Sequence, residues 1–146
     1  MTPHFRAPMR SRRDDVDRYA GVERGLALGL CGVGGRLEVV PPEVGAAVLA
    51  TEHQYGEHQA QLLGRFIRVP EGAVVWTRAE DQRTYRGILE GPWSYDADPA
   101  AYEVDLVHVR PCTWTQVTGK QVPAAVHRAF GRGGRNFQRI TALSDG

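Results

Sequence analysis

The sequence has no apolar run near the roughly 18–20 residues that cross a bilayer. Its longest apolar stretch, Gly25–Val33, is short and punctuated by glycine, so no membrane partner is expected. Cysteine is nearly absent. Cys31 and Cys112 cannot build a disulfide framework, and a reducing, cytoplasmic setting is the expectation. Met1–Arg13 is basic, but no apolar stretch of secretory type follows, so no signal peptide is predicted. Lysine is scarcer still: of 18 basic residues only Lys120 is not arginine. Arginine's planar, bidentate cation suits phosphate, although an arginine-biased genome produces the same ratio.

The remaining composition is that of one globular domain: 146 residues, 42% hydrophobic, 24% charged, mean hydropathy −0.38. It excludes wholesale disorder, a collagen-like repeat and a coiled coil. The net charge of +1 is unevenly spread. Residues 79–105 are acidic, whereas residues 106–146 oppose Arg110, Lys120, Arg128, Arg132, Arg135 and Arg139 to Asp145 alone. A face of one sign focuses its field on anionic partners.

Met1–Arg13 reads as a mobile basic arm ahead of a single domain over residues 14–146. A strand is predicted around Tyr19–Glu23 and a buried one over Gly25–Cys31, running into the Gly32–Gly35 turn. Pro41-Pro42-Glu43 starts a helix, a second runs over about Gly56–Ile67, and Pro123 opens a third that ends at Gly131. Strands are predicted at Ala73–Arg78, Tyr85–Glu90, Trp93–Tyr95, Tyr102–Val109 and Phe137–Ile140, with Asp96–Ala101 a loop and Trp114–Val117 an extension past Pro111. Five or six short strands with inserted helices suggest a small α+β protein around a curled sheet or barrel.

Catalytic signatures fail one by one. A dinucleotide fingerprint from Gly32 and Gly34 needs a glycine where Leu37 stands, and Gly35-Arg36-Leu37 is not the end of a phosphate-binding loop. His53 and His58 are five apart and diverge on a helix, and neither cysteine has a CxxC partner, so no metal or cofactor is expected. His108, alternating with apolar neighbours, reads as an interior histidine. Ser11, Ser94 and Ser144 lack a nucleophile elbow. A Cys31–His108 pair, or Glu90 and Asp96 as acid and base, has no motif behind it.

Aromatic residues on β segments, by contrast, are interleaved with arginines. Trp76, Tyr85, Trp93, Tyr95 and Trp114 alternate with Arg78, Arg86 and Arg110. Sheets hold unstacked bases on such rings, although tryptophan in a small domain is more often core.

Several segments then come in a telling order. They are Glu71–Arg78 (EGAVVWTR), Tyr85–Tyr95 (YRGILEGPWSY), Val107–Trp114 (VHVRPCTW), Val122–Val126 and Phe137–Ile140, preceded by the apolar Gly25–Gly34 with its glycine turn. Over about residues 18–141 this resembles the PUA-like superfamily, specifically the EVE-like domains, including those at the N-termini of Mrr-type restriction endonucleases. Ala73 departs from a common aspartate, Trp93 replaces a small or aromatic position, and the early tryptophan is missing, with Arg18-Tyr19 near its place. The signature of the sister ASCH domains is absent, and no nuclease segment is read, so cutting activity is not carried over.

The resemblance implies a PUA-like curled β-barrel whose cleft accepts one flipped-out base, as in readers of modified DNA or RNA. On this chain it assigns Gly32, Val33 and Gly34 to the rim and Trp93 to the stacking wall, with Trp76 and Tyr95 behind it. Arg78, Arg132 and Arg135 become phosphate contacts, and Asn136 reads a base edge. The expected function is a non-enzymatic module recognising a modified or flipped base, in DNA rather than RNA, alongside a restriction or defence partner. The alternatives are an RNA-binding PUA-like protein, a small nucleotide-processing enzyme using Cys31, His108 or Glu90, and a barrel that docks a protein.

Overall fold

A computed structural model describes residues 2–145. Seven strands and five α-helices form a mixed α+β fold around a curled, half-barrel sheet. In chain order the elements are β1 (Thr2–Arg6), α1 (Ala20–Leu28), β2 (Leu30–Val33), α2 (Val44–Tyr55), α3 (Glu57–Arg68), β3 (Val74–Arg78) and β4 (Thr84–Leu89). There follow β5 (Ser94–Tyr95), α4 (Pro99–Val104), β6 (His108–Val117), a 3-10 turn (Gly119–Gln121), α5 (Ala124–Gly131) and β7 (Gln138–Asp145).

The sheet order is β2-β6-β4-β3-β1-β7, with β5 also on β6. Among the described residues only β1 and β3 pair in parallel. Strand β6 changes partners along its length. Residues 108–111 pair with β2, and residues 112–117 pair with β4. Pro111, which has no N–H to give, sits at this handover.

The expectation of a mobile N-terminal arm is corrected. Thr2–Arg6 is an interior strand, bonded to β3 on one side and β7 on the other. Its alternating buried residues, His4 and Arg6, were hidden by their polarity. The strands expected at Tyr19–Glu23 and Gly25–Cys31 are also corrected: helix α1 runs to Leu28, and only Leu30–Val33 is extended. The glycines there serve close packing rather than a strand. A Cβ on Gly21 would stand 2.3 Å from the Met9 carbonyl oxygen, and one on Gly25 would stand 2.7 Å from that of Leu30. Gly21→Ala should therefore lower stability by about 1–3 kcal/mol by overpacking, despite alanine's better helix propensity. A urea midpoint at or above that of the parent would refute this.

The predicted strand Tyr102–Val109 is corrected: it is helix through Val104 and extended only from His108. Asp98 accepts a hydrogen bond from the Ala100 N–H at 2.8 Å, Pro99 begins α4, and Asp105 in the left-handed region (φ 52°) ends it. The paired helices agree with expectation. Glu43 caps α2 through the Gly45 and Ala46 N–H groups, and Gly56 (φ 103°) separates α2 from α3.

One core lies where α3 meets the sheet, through Leu63, Phe66, Val75 and Leu89. A second lies under α5, and a third joins Met9 and Val22 to Leu106 and Val109. Two buried arginines tie helix ends to this frame. Arg110 donates from Nε to Gly91 O (3.0 Å) and from Nη1 to Phe66 O (3.1 Å) and Val69 O (2.6 Å), closing the end of α3. Arg6 donates to Ala129 O (2.9 Å), Gly133 O (2.7 Å) and Asn136 O (3.2 Å), fixing the end of α5 and the loop beyond it. Both satisfy carbonyls that a helix terminus leaves open.

Candidate functional site

Beyond β1 the chain turns at Met9, whose φ of 49° lies in the left-handed region unusual for a non-glycine residue. This swings Arg10–Arg13 across the mouth of a cleft of about 240 Å³. The facing wall is Gly32–Gly35, the end of β2 and the turn beyond it. Thr51 and Tyr55 of α2 and Leu62 and Leu63 of α3 form the side, and Arg135–Phe137 close it. Pockets for drug-sized ligands run about 300–1,000 Å³, so this one is of a size for one planar ring system.

Asp105 builds the turn. It is buried, and its Oδ1 accepts from the Gly35 N–H (3.0 Å) and the Arg36 N–H (3.2 Å), while Oδ2 accepts from Ser11 Oγ (2.6 Å). A Cβ on Gly34 would stand 2.7 Å from that same Oδ2. These two turn amides hold a carboxylate of the protein itself and are not available to an external phosphate. Behind the turn, the Tyr95 hydroxyl accepts from the Leu37 N–H at 3.0 Å and lies 2.6 Å from the Tyr102 hydroxyl, which donates to Leu37 O. Burial, first, and the Tyr102 hydrogen bond raise the Tyr95 pKa above its ordinary value.

The floor is His108, whose ring lies between Trp93 and Tyr95 and beneath Gly35. Burial pulls its pKa down to about 4, against the opposing influence of the Gly35 backbone and the Asp105 carboxylate, so the ring is neutral near pH 7. Two aromatic rings face the cleft. Phe137 is stacked on Phe5 at 5.0 Å and edge-on to Phe66 at 5.1 Å, so its faces are largely engaged. Tyr55, tethered through its hydroxyl to Arg36 O, keeps the more open ring.

Four arginines surround the mouth: Arg10, Arg12, Arg13 and Arg135. Arg12 donates to Asn136 Oδ1, Arg13 pairs with Asp15 at 3.1 Å, and Arg135 holds Arg12 O (2.6 Å) and Asp14 (3.2 Å). Among the described residues Arg10 has no hydrogen-bond or ion-pair partner. Partial burial, then Arg18 and Arg135, lower its pKa. Arg10 also reaches a second, smaller depression of about 90 Å³ with Arg6, Arg18 and Arg78.

The structure brings together five of the ten residues singled out in the sequence: Gly32, Val33, Gly34, Arg135 and Asn136 all line the cleft. Arg78 lies at the second depression, its guanidinium 5.0 Å from the Phe130 ring centre. Arg132 is exposed as the cap of α5, outside both linings. Trp76, 2% exposed, is core: it packs under α5 and donates from Nε1 to His4 Nδ1 at 2.9 Å. Trp93 is not the wall of the cleft. It stands behind His108 and donates to its Nδ1 at 3.1 Å, and Tyr95 braces the turn.

Sequence reasoning missed Arg10, Arg12, Arg13, Tyr55 and Asp105. Met9 and Asp105 take positive φ at the cleft's edges, and nothing in their residue types signals it. Cys31 is fully buried, and burial pushes its thiol well above the ordinary range, which leaves no thiolate for nucleophilic chemistry. Among the described residues no three His, Cys, Asp or Glu side chains are grouped to hold a metal ion, and no helix is long and apolar enough to cross a membrane. No protein-family model matches this chain, and neither does any curated protein or solved structure.

Proposed function

We propose that this protein is a non-enzymatic, PUA-like module that binds a nucleic acid strand, DNA in the first instance, and takes one modified or flipped-out base into the cleft. The observation that carries this reading is a ring-sized cavity with apolar sides, a neutral histidine at its floor and four arginines around its mouth. A flipped base needs a stacking surface, a polar contact for its edge and cations for the flanking phosphates. Tyr55 supplies the first in place of Trp93, and the Arg10–Arg13 segment with Arg135 supplies the last. The path from the cleft over Arg10 to Arg18 and Arg78 is a track for the adjoining phosphates.

Fluorescence anisotropy with labelled oligonucleotides at fixed, near-physiological salt tests the reading. The set spans unmodified and base-modified DNA, single- and double-stranded, with an RNA control. A preference of about tenfold, or about 1.4 kcal/mol, for one base supports it. Weak binding erased by salt in every member refutes it.

Arg10→Ala should weaken binding about equally for all bases and reduce the slope of log K against log salt by about one. Arg132→Ala, outside the cleft, should change the slope by much less. Equal slopes for the two variants would remove Arg10 from the phosphate track.

A further inference from the structure

The second depression, of about 90 Å³, lies beside the cleft and shares Pro8 and Arg10 with it. Four arginines line it: Arg6 at the end of β1, Arg10 beyond it, Arg18 ahead of α1 and Arg78 at the end of β3. Among the described residues no aspartate or glutamate joins them in the lining. Like charges placed so close repel, and the fold must hold them against that repulsion.

It does so without acids. Arg6 is buried, and its guanidinium is anchored on the Ala129, Gly133 and Asn136 carbonyls. The Arg78 guanidinium lies 5.0 Å from the Phe130 ring centre, with Nη2 3.1 Å from His127 Nδ1. The Arg18 guanidinium lies 5.3 Å from the Tyr19 ring centre. Phe130 and Tyr19 belong to the same lining. A guanidinium seated on a ring face keeps its in-plane N–H groups for an acceptor.

A set of fixed cations without its own counter-charge attracts an external one. Its charge narrows the class of ligand. An internal phosphodiester carries a single negative charge, which one or two arginines satisfy. A phosphate monoester carries about −1.5 to −2 at pH 7 and offers three acceptor oxygens, which matches four cations around one small volume.

We infer that this depression takes a terminal phosphate monoester of the bound strand, with Arg10, Arg18 and Arg78 donating to it and Arg6 supplying charge from the buried side. This rests on the base-binding reading above and deepens it. The phosphate track ends here, and because Arg10 borders both sites, the base that enters the cleft is one beside a strand end.

The test uses the full chain and internally labelled single strands of one sequence, with a phosphate at the 5′ end, at the 3′ end or at neither. Each is made with the four common bases in turn beside the end. Anisotropy at fixed salt should show one phosphorylated end bound about tenfold or more tighter than the hydroxyl-ended strand. Arg18→Gln, at an exposed position, should cut that ratio by about threefold, and Arg18→Gln with Arg78→Gln should bring it to about one. Arg12→Gln, outside the depression, should weaken all three strands alike and leave the ratio.

Phosphorus NMR with the wild type gives a reading that does not depend on the variants folding. The second ionisation of the terminal phosphate, ordinarily near pH 6, should move down by about one unit on binding, because cations favour the dianion. Equal affinity for the three strands, or a ratio that survives in the double variant, overturns this inference and leaves base binding standing. A nucleoside monophosphate that binds as tightly as the phosphorylated strand overturns the assignment to a strand end. Weak, salt-erased binding of every strand overturns both readings.

Discussion

Arg110→Met should lower the unfolding free energy by about 2–4 kcal/mol, because buried carbonyls are left without their donor. The side chain is 2% exposed and holds three carbonyls, those of Phe66, Val69 and Gly91. Methionine keeps much of the volume, so the loss is not chiefly a cavity. It comes from three buried acceptors losing a charge-assisted donor, each worth about 1–3 kcal/mol and not additive. Arg110→Lys should recover only part, because an ammonium cannot spread its donors across the fork that a guanidinium spans. The urea midpoint should fall while the slope of the transition stays constant. A change below about 1 kcal/mol would mean that water replaces the guanidinium at no cost. Because α3 carries Leu62 and Leu63 into the cleft wall, ligand binding should suffer along with the fold.

Acidification should cost the wild type about 3 kcal/mol more than His108→Gln between pH 6.5 and 4. The folded-state pKa of His108 is pulled down from an ordinary 6.5 to about 4 by burial. The unfolded chain therefore takes up the proton first, and stability falls as pH falls. The contribution is complete above about 6.5, declines by about 1.4 kcal/mol per pH unit, and levels off below about 4. The groups facing the ring are the Trp93 N–H on Nδ1, the Tyr95 ring edge, the Gly35 backbone and the Asp105 carboxylate. The last two soften the shift without cancelling it. Carboxylates titrate over the same range in both proteins and largely cancel in the difference. Parallel stability curves for the two proteins would show that His108 is hydrated and freely protonated in the fold.

Much of the framework was legible in the sequence. Helices α2, α3 and α5 follow from Pro41-Pro42-Glu43, Gly56 and Pro123, because capping and turn chemistry act locally. Strands β3 and β4 follow from β-branched and aromatic runs. The first thirty residues were misread for a physical reason. Strand β1 buries His4 and Arg6, whose side chains look like solvent-facing polarity until Trp76 and the carbonyls around Ala129 and Gly133 are in place. Helix α1 carries glycines that read as strand and loop until Met9 is packed against them.

The site divides in the same way. The Gly32–Gly35 turn and Arg135–Asn136 were visible because glycine clusters and basic loops announce themselves. Tyr55 was not, since a tyrosine at the end of a helix says nothing about which loop it faces. Trp93 was noticed for its ring, whereas its structural part lies in one N–H.

The interior placement of β1 has a consequence for the thermodynamics of recognition. An arm that condensed onto its ligand would lose about 1–2 kcal/mol of backbone entropy for each residue it ordered. Here Arg10–Arg13 lie three residues beyond a strand bonded along both edges, with the Ala7 N–H held by Trp76 O at 2.8 Å. The Ser11 hydroxyl and the Arg12 carbonyl are each hydrogen-bonded to the frame. Folding has already met the cost of ordering this cationic lip, and association has only side-chain rotamers left to restrict.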